Sequence, residues 1–261
     1  MWGAVIGDLA GSIYEYSQIK KVSNIEVKEL ISDNSFYSDD TILTIVILDG
    51  MLNNKNFKYY LKKYGRDYMN YKPGFKPYFD KSFSPGFIKW LNSDEIGYSK
   101  GNGAMMRISS VGYLSNSIDD VYKNSIKATS PSHNSNEALD SATMVALIIY
   151  LARCGYNKEK IIEYLDIKLS FSPFKKFNST CYETITNCLY ALFNSNSYEE
   201  SVKKVISYGG DTDTNGAIVG SMAEALYGID NYLIRIAREK IPSGFCGILD
   251  RGYSKIKCLK K

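Results

Sequence analysis

The chain has 261 residues, of which 44% are apolar and 23% are charged, with 32 basic and 28 acidic side chains. This length permits one large domain or two small ones, and the apolar fraction is enough for a substantial core. The net charge of +4 is small and dispersed, which argues against a nucleic-acid-binding protein. The longest apolar stretch, residues 142–152, is too short to span a bilayer, so no membrane association is expected.

The cysteines and the N-terminus predict a cytoplasmic protein. The five cysteines are odd in number and include no CxxC pair, so we expect reduced thiols that serve mainly as small core residues. They are Cys154, Cys181, Cys188, Cys246 and Cys258. The first residues, Met1 to Ala4, lack the basic segment that opens a signal peptide.

The N-terminal segment carries glycines at every fourth position, namely Gly3, Gly7 and Gly11. On a helix these positions share one face, which predicts that another backbone packs closely against it. Asp8 and Glu15 are seven residues apart and therefore lie on nearly the same side of that helix. Taken alone, Glu15 would be interpreted as a solvated helix residue.

Helical spacing continues through most of the chain. Apolar periodicity and capping residues predict helices at 41–52, 135–153, 158–168, 180–193, 198–208, 214–227 and 231–240, and Gly155 and Gly228 are predicted to end two of them. The segment 23–31 alternates weakly and is predicted to be a loop or a short helix. Residues 64–98 are rich in proline, glycine and aromatic residues, and form either a binding site or a surface excursion. We expect an all-α protein that folds as a single compact domain over residues 1–261.

Two acidic turns, each directly before an apolar helical segment, carry the clearest chemical signal. One is Ser38-Asp39-Asp40-Thr41, and the other is Gly-Gly-Asp-Thr-Asp-Thr at 209–214. Either turn taken alone would be interpreted as a helix cap, although a cap needs only one such side chain. If the turns meet in the fold, four carboxylates face each other, and divalent cations would relieve their repulsion. Because the candidate ligands include no histidine or cysteine, Mg²⁺, Mn²⁺ or Ca²⁺ is favoured over zinc.

Three further motifs are weak when each is taken alone. The Gly101-Asn102-Gly103 segment could bring backbone N–H groups close to phosphate, but a plain turn is favoured. Arg107 could bind phosphate, although pairing with a structural carboxylate is preferred. His133 is the only histidine and lies in a reachable Ser/Pro loop. One histidine and the lack of a GxSxG motif argue against a Ser-His-Asp hydrolase.

Five motifs in order resemble the ADP-ribosylglycohydrolase family, which includes the dinitrogenase reductase-activating glycohydrolase. They are GAVIGDLAGSIYE at 3–15, SDDT at 38–41, GNGAMMR at 101–107, SHNSNEA at 132–138 and GGDTDTNGAIVGSMAEALYG at 209–228. The resemblance implies an all-helical fold with two Mg²⁺ or Mn²⁺ ions at the base of a cleft. The implied metal ligands are Ser38, Asp39, Asp40, Asp211, Asp213 and Thr214.

The resemblance also implies roles toward the substrate. Glu15 matches the family's glutamate close to the metals and the scissile bond, and Asp39 or Asp211 would assist it in catalysis. His133 matches a residue near the substrate diphosphate, and the loop that lines the ribose and the diphosphate corresponds to Gly101, Asn102 and Gly103. The adenine would stack on an aromatic side chain, for which the candidates are Phe83, Phe87, Tyr98 and Phe245.

The implied function is metal-dependent hydrolysis of the bond between ADP-ribose and an acceptor in a protein or a small molecule. Arginine-linked ADP-ribose is slightly favoured over serine-linked, and nucleic acid is expected only as a modified substrate. The alternatives are a catalytically weak ADP-ribose-binding module and a two-metal phosphohydrolase that acts on a nucleotide-sugar. Met105 and Ser110 depart from the family pattern, which bears on substrate preference. A monomer is expected.

Overall fold

The structure is a computed structural model that describes residues 1–18, 25–53, 55–73, 82–169 and 177–256. Thirteen α-helices make up most of this described part, and their bounds in chain order are α1 Trp2–Gln18, α2 Asp39–Leu52, α3 Phe57–Asp67, α4 Pro85–Leu91, α5 Ser109–Leu114, α6 Ile118–Thr129, α7 Asn136–Arg153, α8 Lys158–Tyr164, α9 Cys181–Phe193, α10 Tyr198–Ser207, α11 Thr212–Tyr227, α12 Asn231–Lys240 and α13 Ser243–Ser254. A short 3₁₀ helix covers Asn102–Ala104. Within these ranges the β-structure consists of two isolated bridges, Tyr98 to His133 and Gly101 to Thr180.

The all-α prediction is confirmed, and most predicted helices begin and end within two residues of the observed bounds. The predicted helix at 158–168 was too long, because α8 ends at Tyr164. Asp166 then adopts a left-handed backbone conformation with φ of 49°, and the N–H of Ile167 bonds back to the Ile162 carbonyl at 3.0 Å. Such a turn satisfies the last helical carbonyls and stops the helix. Gly155 and Gly228 have positive φ as expected for helix ends.

Some predictions fall partly on residues outside the described ranges. Residues 25–31 of the segment 23–31 contain no helix, while 23 and 24 are not described. In the segment 64–98, α4 is present and 74–81 are not described. The four described cysteines are free thiols. No helix in the described ranges is long and apolar enough to cross a membrane.

The packing of α1 against α11 is the most extensive between any two described helices. Glycines face each other across it, since a Cβ added to Gly3 would collide with the Gly220 carbonyl, and one added to Gly7 would collide with the Gly216 carbonyl. At the end of this contact the Thr212 hydroxyl donates to the Gly11 carbonyl at 2.8 Å. The predicted close packing on the glycine face of α1 is therefore confirmed, and it brings the N-terminus of α11 beside the middle of α1.

The buried apolar side chains form one core cluster that runs from Met1 to Leu249. Helix α2 is buried over nearly its whole length, and its N-terminus lies against α1. Because α2 and α11 both begin beside α1, the two acidic turns lie at the same place in the fold. Packing in the core therefore brings together the polar N-termini of α2 and α11.

Candidate active site

A cleft with a volume of 860 Å³ opens where these helix ends meet. Its walls come from α1, α4, the N-termini of α2 and α11, and the segments around residues 101–103, 133 and 177–179. Apart from the aromatic candidates, every site residue predicted from the sequence lines this cleft except Ser38; those that do are Glu15, Asp39, Asp40, Gly101, Asn102, Gly103, His133, Asp211, Asp213 and Thr214.

The two acidic turns converge at the base of the cleft, as the sequence predicted. The Thr214 hydroxyl donates to the Asp40 carboxylate at 3.1 Å, although the residues are 174 positions apart. Asp213 belongs to two groups of carboxylates whose oxygens lie within 4.8 Å of one another. One group contains Asp8 and Asp40 with Asp213, and the other contains Glu15 and Asp211 with Asp213. Asp39 lines the cleft beside these groups and accepts a hydrogen bond from Ser82 at 3.1 Å.

Asp8 links α1 to the start of α2, a role that the sequence analysis missed. Its carboxylate accepts hydrogen bonds from the backbone and hydroxyl of Ser38 at 2.9 and 2.8 Å, and from those of Thr41 at 3.1 and 2.6 Å. Ser38 also caps α2 through the Asp40 N–H. Because both Asp8 oxygens are engaged by protein donors, Asp8 mainly fixes the acidic turn. The only sequence signal was its spacing of seven residues from Glu15.

Burial and mutual repulsion raise the pKa values of these carboxyl groups. Burial, followed by the charge of Asp213, raises the pKa of Asp8 to about 6 and that of Asp39 to about 7. The same two causes raise the pKa values of Asp40 and Asp211 well above the usual range. In the described structure no Lys or Arg forms an ion pair with any of them. Together they form an acidic cluster to which the described residues supply no countercharge.

The cluster fits a hard divalent cation. The Oδ1 atom of Asp40 is buried and has no hydrogen-bond partner among the described residues. A buried acceptor left unpaired is costly, and a bound cation would satisfy it. The candidate ligand atoms around it are carboxylate and hydroxyl oxygens, which are the ligands that Mg²⁺ and Mn²⁺ prefer.

Asn102 ties the glycine loop to the acidic cluster. Its side-chain amide donates to Asp211 at 2.7 Å and to Thr184 at 3.3 Å, and its backbone N–H donates to the Ser179 carbonyl at 2.9 Å. The loop at 101–103 is therefore held on two sides and borders the cleft with Gly101 and Gly103. A plain surface turn, the interpretation favoured for this motif alone, does not describe it.

Arg107 borders the same cleft, and its side chain is fully buried. Its Nη2 donates to the Ser132 hydroxyl at 2.8 Å and to the Ala128 carbonyl at 3.5 Å. The expected pairing with a structural carboxylate was wrong, since no described carboxylate contacts the guanidinium. Burial lowers the pKa of Arg107 to about 10, so the group remains charged near neutral pH. Burial, and then the charge of Arg107, lower the pKa of His133 well below its usual value.

The aromatic candidates divide between the cleft and the core. Phe83 and Phe87 line the cleft with ring centroids 5.1 Å apart. Tyr98 is 69% exposed and does not line it, while Phe245 is buried against Tyr37 and Tyr68. Phe177, which the sequence analysis missed, also lines the cleft, and it is 46% exposed. It lies between the predicted helices at 158–168 and 180–193, in a stretch that also contains Phe171 and Phe174, and no motif singled it out.

Comparisons with known proteins identify the family of this chain. The sequence model of the ADP-ribosylglycohydrolase family matches residues 1–242. ADP-ribosylarginine hydrolase Tri1 of Pseudomonas putida (strain GB-1) is 22% identical over 87% of this chain and 69% of its own length. Human ADP-ribosylhydrolase ARH3 is 21% identical over 87% of this chain and 84% of its own length.

A solved structure has a similar fold. The chain resembles a protein described as an ADP-ribosylglycohydrolase-related protein complex, with a TM-score of 0.74 and 20% identity. The match covers 98% of this chain and 96% of the other. With the family match over most of its residues, the chain belongs to the ADP-ribosylglycohydrolase family of hydrolases.

Proposed function

We propose that this chain hydrolyses the glycosidic bond between ADP-ribose and an acceptor group with the help of Mg²⁺ or Mn²⁺, and so reverses ADP-ribosylation. The main support is that Glu15, Asp211 and Asp213 converge on one cleft within reach of a single small ligand. Arginine-linked ADP-ribose is the preferred substrate, because the Pseudomonas relative is named for that acceptor.

Two cations would be held by the acidic groups at the base of the cleft. Asp40 and Asp213 would contact one, and Asp211 and Asp213 the other, with Ser38, Asp39 and Thr214 as the further ligands that the family resemblance implies. When bound, such ions orient vicinal sugar hydroxyls and make a nearby water more acidic.

Glu15 is our leading candidate for the acid or base that transfers the proton. Glycosidic cleavage passes through an oxocarbenium-like state, in which the leaving group gains a proton and the attacking water loses one. Glu15 lines the cleft, is only 9% exposed and lies beside Asp211 and Asp213. Asp39 or Asp211 would assist the other proton transfer, because hydrogen bonds from Ser82 and Asn102 hold their carboxylates in place.

The glycine loop and His133 would bind the remainder of the substrate. Gly101, Asn102 and Gly103 would line the ribose and the diphosphate, and His133 would face the diphosphate. Phe83, Phe87 and Phe177 border the same cleft and could contact the adenine. We expect the enzyme to act as a monomer in the cytoplasm on modified proteins or small molecules.

The test is a panel of ADP-ribosylated arginine, serine and small-molecule substrates, with products identified by mass in Mg²⁺ or Mn²⁺ and in a chelator. The expected result is free ADP-ribose with the unmodified acceptor, lost in the chelator and restored by adding the ion back. AMP and ribose phosphate as products would instead identify a phosphohydrolase. ADP-ribose binding without any release would identify a binding module.

A further inference from the structure

We propose that Arg107 is a positioning residue that acts through Ser132 to hold His133 with its proton on Nε2, where it can donate to an anionic group in the cleft. The identity of that group as a diphosphate rests on the proposed function. The placement of the proton rests only on contacts within the protein.

The hydrogen bonds leave one consistent arrangement of protons. A guanidinium donates and never accepts, so the Ser132 hydroxyl oxygen is the acceptor of the 2.8 Å bond from Arg107 Nη2. The hydroxyl then has its own proton to donate, and Nδ1 of His133 lies 2.8 Å away. The described residues offer no other side-chain acceptor to this hydroxyl. Nδ1 therefore accepts, and a neutral imidazole that accepts at Nδ1 carries its proton on Nε2.

The Nε2 atom faces the two glycines of the loop at 101–103. A Cβ added to Gly103 would lie 3.4 Å from Nε2, and one added to Gly101 would lie 3.7 Å from it. These are ordinary van der Waals distances, so the ring nitrogen lies directly against the loop. In the described part of the chain Nε2 has no hydrogen-bond acceptor. The histidine therefore presents an unused N–H donor to the cleft that it lines.

The charge of Arg107 adds to the preference for an anion. Its Nε and Nη1 atoms are buried and have no hydrogen-bond partner among the described residues. No described carboxylate neutralises it, so its positive charge is felt on the cleft side of Ser132 and His133. Burial, and then this charge, lower the pKa of His133 and so disfavour a second proton, which keeps the ring neutral and the Nδ1 acceptor available. A diphosphate would supply both the missing acceptor and the missing countercharge.

The unique histidine makes the proton position directly measurable. In protein labelled with ¹⁵N-histidine, every imidazole nitrogen signal belongs to His133. The expected spectrum of the unmodified protein at neutral pH shows an unprotonated Nδ1 and a protonated Nε2. A protonated Nδ1, an even mixture of the two tautomers or a doubly protonated ring would overturn the proposal without any variant being made.

Variants then test whether Arg107 acts on His133 through Ser132, an arrangement that we call the relay. Ser132→Ala should give mixed tautomers and weaken ADP-ribose binding about fivefold to tenfold, as expected for one misplaced hydrogen bond. Ser125→Ala removes a buried hydroxyl of α6 that has no hydrogen-bond partner among the described residues, and it should change neither the nitrogen signals nor the affinity for ADP-ribose. Arg107→Lys should retain more of the wild-type tautomer than Arg107→Met. Wild-type tautomer populations in Ser132→Ala and Arg107→Met would overturn the relay.

Inorganic pyrophosphate, added without divalent cations, separates this proposal from the proposed function. Pyrophosphate and ADP-ribose should both shift the Nε2 signal, and a Nε2 signal that neither ligand moves would overturn the anion-facing role. If pyrophosphate shifts Nε2 while no ADP-ribosylated substrate is cleaved, the positioning of His133 stands and the proposed function fails. If substrates are cleaved while Nδ1 carries the proton, the proposed function stands and the positioning of His133 fails.

Discussion

Two sides of the cleft carry opposite charges, and no described residue neutralises either of them. The acidic base, made of Asp8, Asp39, Asp40, Asp211 and Asp213, forms no ion pair with a described Lys or Arg, whereas the side with the glycine loop buries the guanidinium of Arg107 without a described carboxylate. Asn102 joins the two sides, because it lies in the glycine loop and donates to Asp211. A ligand that brings cation-binding hydroxyls to one side and a diphosphate to the other would satisfy both. We therefore expect these two sides of the cleft to bind the hydroxyls and the diphosphate of one small molecule.

The largest expected effect concerns the acidic side. Glu15→Gln should lower turnover by about 10²–10⁴-fold, which is the usual contribution of a positioned acid or base. ADP-ribose affinity should change little, because the amide keeps the shape of the side chain. Single-turnover rates and calorimetry on the same variant measure the two quantities separately. Glu239→Gln on the exposed face of α12 is the matched control, and unchanged turnover in Glu15→Gln would remove Glu15 from the mechanism.

Asp213→Asn should separate the effects of charge and of cations on stability. Asp213 belongs to both carboxylate groups, so the variant should lose the stabilisation by Mg²⁺ or Mn²⁺, which at a hundredfold excess over Kd is about 2.7 kcal/mol. Without cations the variant should be more stable than wild type, since the Asp213 charge destabilises the four other aspartates. Thermal unfolding with and without the ion measures both, with Asp33→Asn as the exposed control. Equal cation responses in the variant and wild type would contradict this arrangement.

The same repulsion predicts a pH dependence with a definite sign. Folding raises the pKa of Asp8 to about 6 and of Asp39 to about 7 from an ordinary value of 3.8, so the folded cation-free protein binds protons more tightly than the unfolded chain. Its stability should therefore fall as the pH rises from 3.8 through 7. Because cations compete with these protons, the gain in melting temperature on adding Mg²⁺ should grow over the same range. A gain that shrinks with rising pH would argue against cation binding at these carboxylates.

A smaller effect should follow from a change in backbone spacing. Gly7→Ala places a methyl group against the Gly216 carbonyl, and such overpacking typically costs about 1–3 kcal/mol of unfolding free energy. The added methyl group should move α1 relative to α11 and so weaken cation binding. The nitrogen signals of His133, on the other side of the cleft, should stay unchanged. Gly247→Ala in α13 is the control, because nothing lies within 4 Å of its added Cβ. The free energy of unfolding of this control should be unchanged or slightly higher than that of the wild type.

The acidic side was predictable from the residues themselves, whereas the part that Arg107 plays in the other wall was not. Clustered aspartates at 39–40 and 211–213 exceed what helix caps need, so their convergence could be predicted before the fold was known. Arg107 gave no such signal, because its partner is a serine 25 positions away rather than a carboxylate. Asp8 was likewise hidden, since its four hydrogen bonds come from a turn 30 residues later. Short motifs reveal which groups are present, whereas shared hydrogen bonds depend on the tertiary packing.

The smallest expected effect lies at the mouth of the cleft, away from both charged sides. Phe177 is half exposed beside the cleft, whereas Phe83 and Phe87 are buried against each other, so Phe177 has the ring face more available to a nucleobase. Phe177→Ala should weaken ADP-ribose binding about tenfold or less, within the range for stacking on one aromatic ring. Binding of ribose 5-phosphate, which has no base, should not change. Tyr232→Ala on α12 is the control, and equal losses for both ligands would mean that Phe177 shapes the cleft rather than contacting adenine.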